Sequence, residues 1–119
     1  MGSSTVGKCD CGFETEELLL GGGMMNFDTV CLFPHYCQNC TSLFNENIYN
    51  KDLICPKCKS KNVISYDDKR ACSFMKDEVF SWNTQSNLGR DLKLSADNNL
   101  CPKCGSFTLN FMPSLLLWD

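Results

Sequence analysis

Short apolar runs separated by polar turns make up the hydrophobic pattern of this chain, and the pattern contains no long amphipathic helix. Runs rich in β-branched and aromatic residues at 63–66 and 107–112 are typical of strands. The stretch 41–54 predicts a hairpin with a turn at 45–47, and 14–20 and 91–94 indicate two further strands. For 71–99 the pattern predicts only a short helix or strand packed on the rest. The expected fold is therefore small and mainly β.

Cysteine spacing turns this weak β pattern into the prediction of a metal-stabilised fold. The chain has 10 cysteines among 119 residues, and most of them form tight pairs. The four pairs are Cys9/Cys11, Cys37/Cys40, Cys55/Cys58 and Cys101/Cys104. Zinc prefers four soft ligands at the corners of a tetrahedron, so four pairs are enough for two closed sites. Because little apolar material then remains for a core, a domain of this size needs the metal for stability.

The residues around the pairs favour tight metal-binding turns. Cys-Pro-Lys-Cys occurs at 55–58 and again at 101–104. Proline after the first cysteine presets a turn angle, and glycine after the second accepts a positive φ at no steric cost. Gly105 follows its pair in this way, whereas Thr41 and Lys59 follow the two central pairs. The repeat indicates duplicated metal-binding half-sites rather than a solenoid.

Residues 36–66 resemble the zinc ribbon family, whose knuckles read C-x2-C and C-P-x-C-G, and they also look like the knuckles of rubredoxins, which hold iron. The resemblance implies that two β-hairpin knuckles grip one ion. Its ligands would be Cys37, Cys40, Cys55 and Cys58. By elimination, Cys101 and Cys104 are left with Cys9 and Cys11 as their partner pair, the alternative being that the first pair binds no metal.

This pairing predicts a nested arrangement of two zinc-ribbon-like sites. Residues 31–70 would form a central zinc ribbon, inserted between terminal ribbon halves and a packing segment at 1–30 and 71–119. The two metal ions would stabilise the fold by closing loops of the chain.

Cys31 and Cys72 fall outside the pairs and are expected to be small, buried apolar residues. The alternative is that Cys31 or His35 replaces one of the paired cysteines. His35 is the single histidine, two residues before Cys37, and is expected to be a packed or exposed ring, or at most a donor to a ligand. Four-cysteine sites leave no open coordination position, and the chain carries no catalytic triad or metalloprotease motif. The sequence therefore predicts that the protein is not an enzyme.

The charge of the chain is negative and uneven. The formal net charge is −3, but residues 51–70 alone carry six bases and three acids. Two zinc ions, each held by four thiolates, would bring the total to about −7. This charge opposes a nucleic-acid backbone, so that only the 51–70 segment, with Tyr66 nearby, is a candidate for such contact.

The remaining sequence signals concern location and packing. No apolar run follows the first lysine as in a signal peptide, and none could span a bilayer, so we expect a cytoplasmic protein without membrane association. The glycines at 21–23 lack the Lys-Ser/Thr of a phosphate-binding loop and predict a turn or bulge, with Met24, Met25 and Phe27 packed over a ribbon. Trp82, Trp118 and the apolar tail 115–119 are expected to pack on the fold or on a second chain.

Three functions are compatible with these observations. The favoured one is a non-catalytic zinc-binding ribbon protein with two structural zinc ions, which binds a protein partner through 71–99 and the tail. The second is a rubredoxin-like electron carrier with iron at the central four cysteines. The third is a nucleic-acid-binding zinc ribbon that uses 51–70. Zinc is favoured over iron because the central knuckles lack the paired glycines of rubredoxins.

Overall fold

Eight β-strands make up almost all the regular secondary structure of the described residues. The computed structural model describes residues 3–22, 30–50, 52–75, 77–82, 84, 88–89 and 91–114. The strands are β1 (Ser3–Cys9), β2 (Leu18–Leu20), β3 (Leu32–Cys37), β4 (Ser42–Asn47), β5 (Val63–Ser65), β6 (Glu78–Trp82), β7 (Leu92–Ser95) and β8 (Leu109–Pro113). The expectation of a small, mainly β fold is confirmed.

The strands form three small antiparallel sheets, with the orders β2-β1-β8, β4-β3-β5 and β6-β7. In β8, buried Leu109 and Phe111 alternate with exposed neighbours, as a half-buried strand requires. β8 pairs with β1 in antiparallel fashion, so that Cys9 stands opposite Leu109. The pairing brings the first and the last cysteine pairs of the chain to the same end of one sheet.

The predicted turn at 45–47 is wrong, because β4 continues through it as a strand. The asparagine side chains there form hydrogen bonds with backbone groups that are distant in sequence, and the chain does not reverse. Asn45 Nδ2 donates to the carbonyl oxygen of Leu19 at 2.9 Å, and Asn47 Oδ1 accepts from the N–H of Cys31 at 2.9 Å. The reversal lies earlier, where Cys37 pairs with Ser42 across the first central knuckle.

The remaining strand expectations are met in outline. β2 lies within 14–20, β5 within 63–66, β7 overlaps 91–94 and β8 overlaps 107–112. The stretch 71–99 contributes the β6-β7 sheet, and among its described residues only Leu88 is helical. Trp82 in β6 is half-buried, packs edge-on against Phe80 at 5.7 Å, and leaves no room for a side chain at Gly21.

One hydrophobic core contains residues from the central segment and from both terminal segments. Tyr66 lies fully buried at its middle and meets Phe111 edge-on, with ring centroids 5.4 Å apart. Its hydroxyl donates to the carbonyl oxygen of Leu100 at 2.8 Å, and the Leu100 N–H donates to the carbonyl oxygen of Ala71 at 2.8 Å. The backbone just before the last cysteine pair is therefore tied directly to the central segment. The division into 31–70 and two terminal parts stays a prediction.

Some expectations lie outside the described residues. They are the packing of Met24, Met25 and Phe27, and the docking of the tail 115–119 with Trp118.

In the described part of the chain, no helix is long and apolar enough to cross a membrane. At the start of the glycine run, Gly21 and Leu32 exchange backbone hydrogen bonds of 2.8 Å, which join the first sheet to β3.

Candidate metal centres

The structure gathers eight cysteine sulfurs into two groups of four. The central group is Cys37, Cys40, Cys55 and Cys58, and the terminal group is Cys9, Cys11, Cys101 and Cys104. Within each group, all four Sγ atoms lie within 4.8 Å of one another, and each group could hold a metal ion. These are the central set that the zinc-ribbon resemblance implied and the terminal set that was inferred by elimination, with the central group nested in sequence between the halves of the terminal one.

The distances between sulfurs fit a tetrahedral ion. In the central group, the sulfurs of Cys40 and Cys55 are 3.5 Å apart, and in the terminal group those of Cys9 and Cys104 are 3.7 Å apart. Sulfurs about 2.3 Å from a central zinc form a tetrahedron with edges of about 3.8 Å. A disulfide would bring two sulfurs to about 2.05 Å, and all ten cysteines are free thiols.

The repeated Cys-Pro-Lys-Cys segments adopt the same local backbone. In the central copy, the N–H of Cys55 donates to the carbonyl oxygen of Ser60, and that of Lys59 donates to the carbonyl oxygen of Cys55, both at 2.9 Å. In the terminal copy, Cys101 N–H donates to Ser106, and Gly105 N–H to Cys101, again at 2.9 Å. The similarity follows from local sequence, because these bonds close within six residues.

A left-handed residue follows the second cysteine of every pair. The four residues are Gly12 (φ 98°), Thr41 (φ 54°), Lys59 (φ 64°) and Gly105 (φ 73°). This conformation turns the backbone away after the second sulfur, and it is unfavourable for any residue with a Cβ. The central group is therefore built from two strained turns, and the terminal group from two relaxed ones. Thr41 and Lys59 therefore adopt the left-handed conformation although neither of them is a glycine.

Hydrogen bonds to one sulfur of each group, Cys58 and Cys104, favour the thiolate form of that sulfur. The pKa of Cys58 is lowered from 9.0 to about 6, first by a hydrogen bond from the Ser60 backbone and then by one from the Asn39 side chain. The pKa of Cys104 is also lowered to about 6, by the Ser106 backbone and then by the Thr108 hydroxyl. Because metals bind thiolates, each group contains one sulfur that is ready to bind at neutral pH.

Thr108 is a part of the terminal group that sequence reasoning missed. Its Oγ1 lies 3.1 Å from the Cys9 sulfur and 3.7 Å from the Cys104 sulfur, so it contacts both halves of the group. Ser42 has a similar place in the central group, where its Oγ lies 3.2 Å from the Cys40 sulfur. A hydroxyl two to four residues after a cysteine pair is the signal that could have identified both.

The leftover residues stay outside both groups. Cys31 is fully buried, burial raises the pKa of its thiol to about 12, and its sulfur belongs to neither group. Cys72 is also buried, with its sulfur 4.0 Å from the carbonyl oxygen of Asp97. His35 is packed inside the fold, as one of the sequence expectations had it. Its Nδ1–H donates to the Phe33 carbonyl oxygen at 2.8 Å, and burial lowers its pKa.

The basic segment lies on the surface beside the central group. Lys57, Lys59, Lys61 and Lys69 are exposed. Arg70 forms two hydrogen bonds to the carboxylate of Asp68, of 3.1 and 2.9 Å, which offset its charge. The segment therefore presents fewer free charges than its composition suggests.

Comparisons of the chain with protein-family models, with curated proteins and with solved structures found no match. The function must therefore be argued from the two groups and their surroundings. Four thiolates around one ion fill a tetrahedral shell, so each group can hold a metal and crosslink distant parts of the chain. The terminal group would link residues 90 positions apart, and the central group residues 15 positions apart.

Proposed function

We propose that this chain is a non-catalytic zinc-binding ribbon protein whose two four-cysteine centres are structural, and that it serves as a protein-interaction module. The observation that carries this proposal is the convergence of eight sulfurs into two groups of four. Zinc is the metal we assign, because it takes four thiolates in closed structural sites.

The surroundings of the groups support a structural role. Two cysteines of each group are buried, Cys37 and Cys55 in the central group and Cys9 and Cys101 in the terminal group. Cys37 ends β3, and Cys9 ends β1. A metal at either group would therefore hold core elements together. With four protein ligands no position is left for water or substrate, so we expect no hydrolytic chemistry at either ion.

Metal content and fold should then depend on each other. Native mass spectrometry of protein from cells supplied with both zinc and iron is expected to give two zinc ions per chain. Removal of the metal by a chelator should abolish the dispersed NMR spectrum of the fold. A chain that keeps its dispersed spectrum after complete metal removal would contradict the structural role. A red protein with thiolate-to-iron absorption bands would instead identify an iron carrier.

Two cysteine variants provide a matched pair for this experiment. Cys72→Ala removes a thiol outside both groups and is expected to retain two zinc ions. Cys58→Ala removes a half-buried thiol of the central group and is expected to bind one ion or none. If both variants kept two ions, the assignment of the central ligands would be wrong.

A further inference from the structure

Two adjoining cavities lie beside β4. One part, of about 540 Å³, lies between the segment 13–19 and residues 43–45. The adjoining part, of about 360 Å³, lies between 41–43 and the tips of the two repeated knuckles, at Lys57 and at Pro102 and Lys103. Phe13 and Leu43 line both parts, so we treat the two as one feature, the β4 groove.

The β4 groove has an open sheet edge along one wall. β4 is the outer strand of its sheet, and in the described part of the chain it pairs with β3 alone. At Asn45 the two walls are joined, because its Nδ2 donates to the Leu19 carbonyl oxygen at 2.9 Å, so an added strand would pair with the part of β4 that precedes Asn45. An outer strand beside a cleft can accept an extended peptide as an added strand, with main-chain hydrogen bonds providing affinity.

Charge along the groove is strongly polarised. Glu14, Glu16 and Glu17 line its first part, and all three are exposed. The far end carries Lys57 and Lys103, at equivalent positions of the two repeated knuckles. The middle is apolar, at Phe13 and Leu43. A ligand that complements this surface carries positive charge at one end and an apolar side chain in the middle.

We propose that the β4 groove binds an extended, basic segment of a partner protein as an added strand. The proposal rests on the proposed function, since it names the surface and the partner chemistry of the interaction module. A nucleic acid suits the groove less well, because three glutamates would face its phosphates. The formal charge of −3 also favours a cationic partner.

The direction of the bound segment follows from the charge order. β4 begins near the lysines, at Ser42, and runs toward the glutamates. Every strand pair of the described residues is antiparallel, and antiparallel pairing is the more stable kind. An antiparallel ligand would therefore begin with its basic residues over Glu14 and Glu16, and end with uncharged residues near Lys57 and Lys103.

A synthetic nine-residue peptide provides the test: three lysines, then Leu-Phe-Leu, then Ser-Gly-Ser, with a fluorescent label. Its binding to the zinc-loaded chain is measured by anisotropy at low ionic strength. The double variant Glu14→Lys/Glu16→Lys should weaken binding at least about ten-fold. Glu17 is left unchanged because its carboxylate accepts a hydrogen bond from Ser114. A peptide with glutamates in place of the lysines should not bind.

A matched double variant separates local from overall charge. Asp52→Lys/Asp77→Lys changes the net charge equally at exposed positions outside the groove. It should weaken binding less than about three-fold, and peptide-induced amide shifts should centre on Leu43 and Asn45. Equal weakening by both double variants, shifts centred elsewhere, or no binding by the wild-type chain would overturn the proposal. A homodimer joined through Leu43 would also overturn it, because a second copy would then occupy the groove.

Zinc content and the NMR spectrum of each sample distinguish this proposal from the proposed function. A folded chain with two zinc ions that does not bind the peptide counts against the β4 groove alone. A chain that folds without metal counts against the structural zinc centres, whatever the peptide does.

Discussion

Exchanging the residues at two equivalent positions, Lys59 and Gly105, separates the backbone contribution of each knuckle from its metal chemistry. Both residues follow the second cysteine of a Cys-Pro-Lys-Cys segment, and both have a positive φ, of 64° and 73°. Lys59→Gly should relax the central group, and Gly105→Lys should strain the terminal group. Neither change touches a sulfur ligand.

The size of the effect follows from backbone conformation alone. A residue with a Cβ loses about 1–2 kcal/mol in the left-handed region, and the flexibility of glycine in the unfolded chain offsets about 0.4–1 kcal/mol of this. A Cβ added at Gly105 meets no described atom within 4 Å, so steric clash does not contribute. We expect net changes of about 0.5–1 kcal/mol with opposite signs, or about two- to five-fold in metal retention.

Competition with a chelator measures metal retention, and alkylation followed by mass spectrometry identifies which cysteines open first. Lys59→Gly should delay alkylation of Cys58, and Gly105→Lys should hasten that of Cys104. Gly89→Lys is the control, because Gly89 also has a positive φ (73°) with open space around it but lies outside both groups. It should lower the melting temperature without changing the order of alkylation. Shifts of the same sign for both knuckle variants would refute the reasoning.

Three further predictions follow from the same contacts. Tyr66→Phe removes the hydrogen bond to the Leu100 carbonyl oxygen and should cost about 1–2 kcal/mol of stability in denaturant unfolding. An unchanged midpoint would contradict the link. Because the pKa values of Cys58 and Cys104 are lowered from 9.0 to about 6, the stability that their thiolates provide is complete only above pH 9 and is lost as the pH falls from 9 to 6. Zinc release to a colorimetric chelator should therefore increase as the pH is lowered from 9 to 6, and release that stays constant over this range would contradict the sign. Cys55→Ser should weaken metal binding at both groups, whereas Cys104→Ser should leave the central group able to bind metal. If each variant weakened both groups equally in metal titrations, this asymmetry would be contradicted.

The composition of the metal groups could be predicted from sequence because the chemistry is local. Each pair spans at most four residues, so backbone geometry brings its two sulfurs together wherever the segment lies. Once the zinc-ribbon resemblance had joined the two central pairs, Cys9 and Cys11 could be assigned to Cys101 and Cys104 by elimination. The positive φ after each second cysteine could likewise be expected from Gly105, whose counterpart Lys59 adopts it without glycine.

Long-range contacts could not be predicted in this way. The asparagines at 45 and 47 have turn propensity, but bonds to the distant Leu19 and Cys31 keep β4 extended through them. Thr108 reaches the Cys9 sulfur only because β8 pairs with β1. Such contacts depend on which strands pair, and local sequence patterns do not predict strand pairing.

Nesting gives the two centres unequal roles in assembly. The terminal group joins Cys11 to Cys101 across 90 positions, and the central group joins Cys40 to Cys55 across 15. In an unfolded chain, closing the longer loop costs about 1.6 kcal/mol more, roughly a 15-fold lower equilibrium constant. Folding of the central segment removes much of this cost, because β3, β4 and β5 then occupy the middle of the long loop in a compact form. The central group is thus expected to bind metal first, and the terminal group to depend on it.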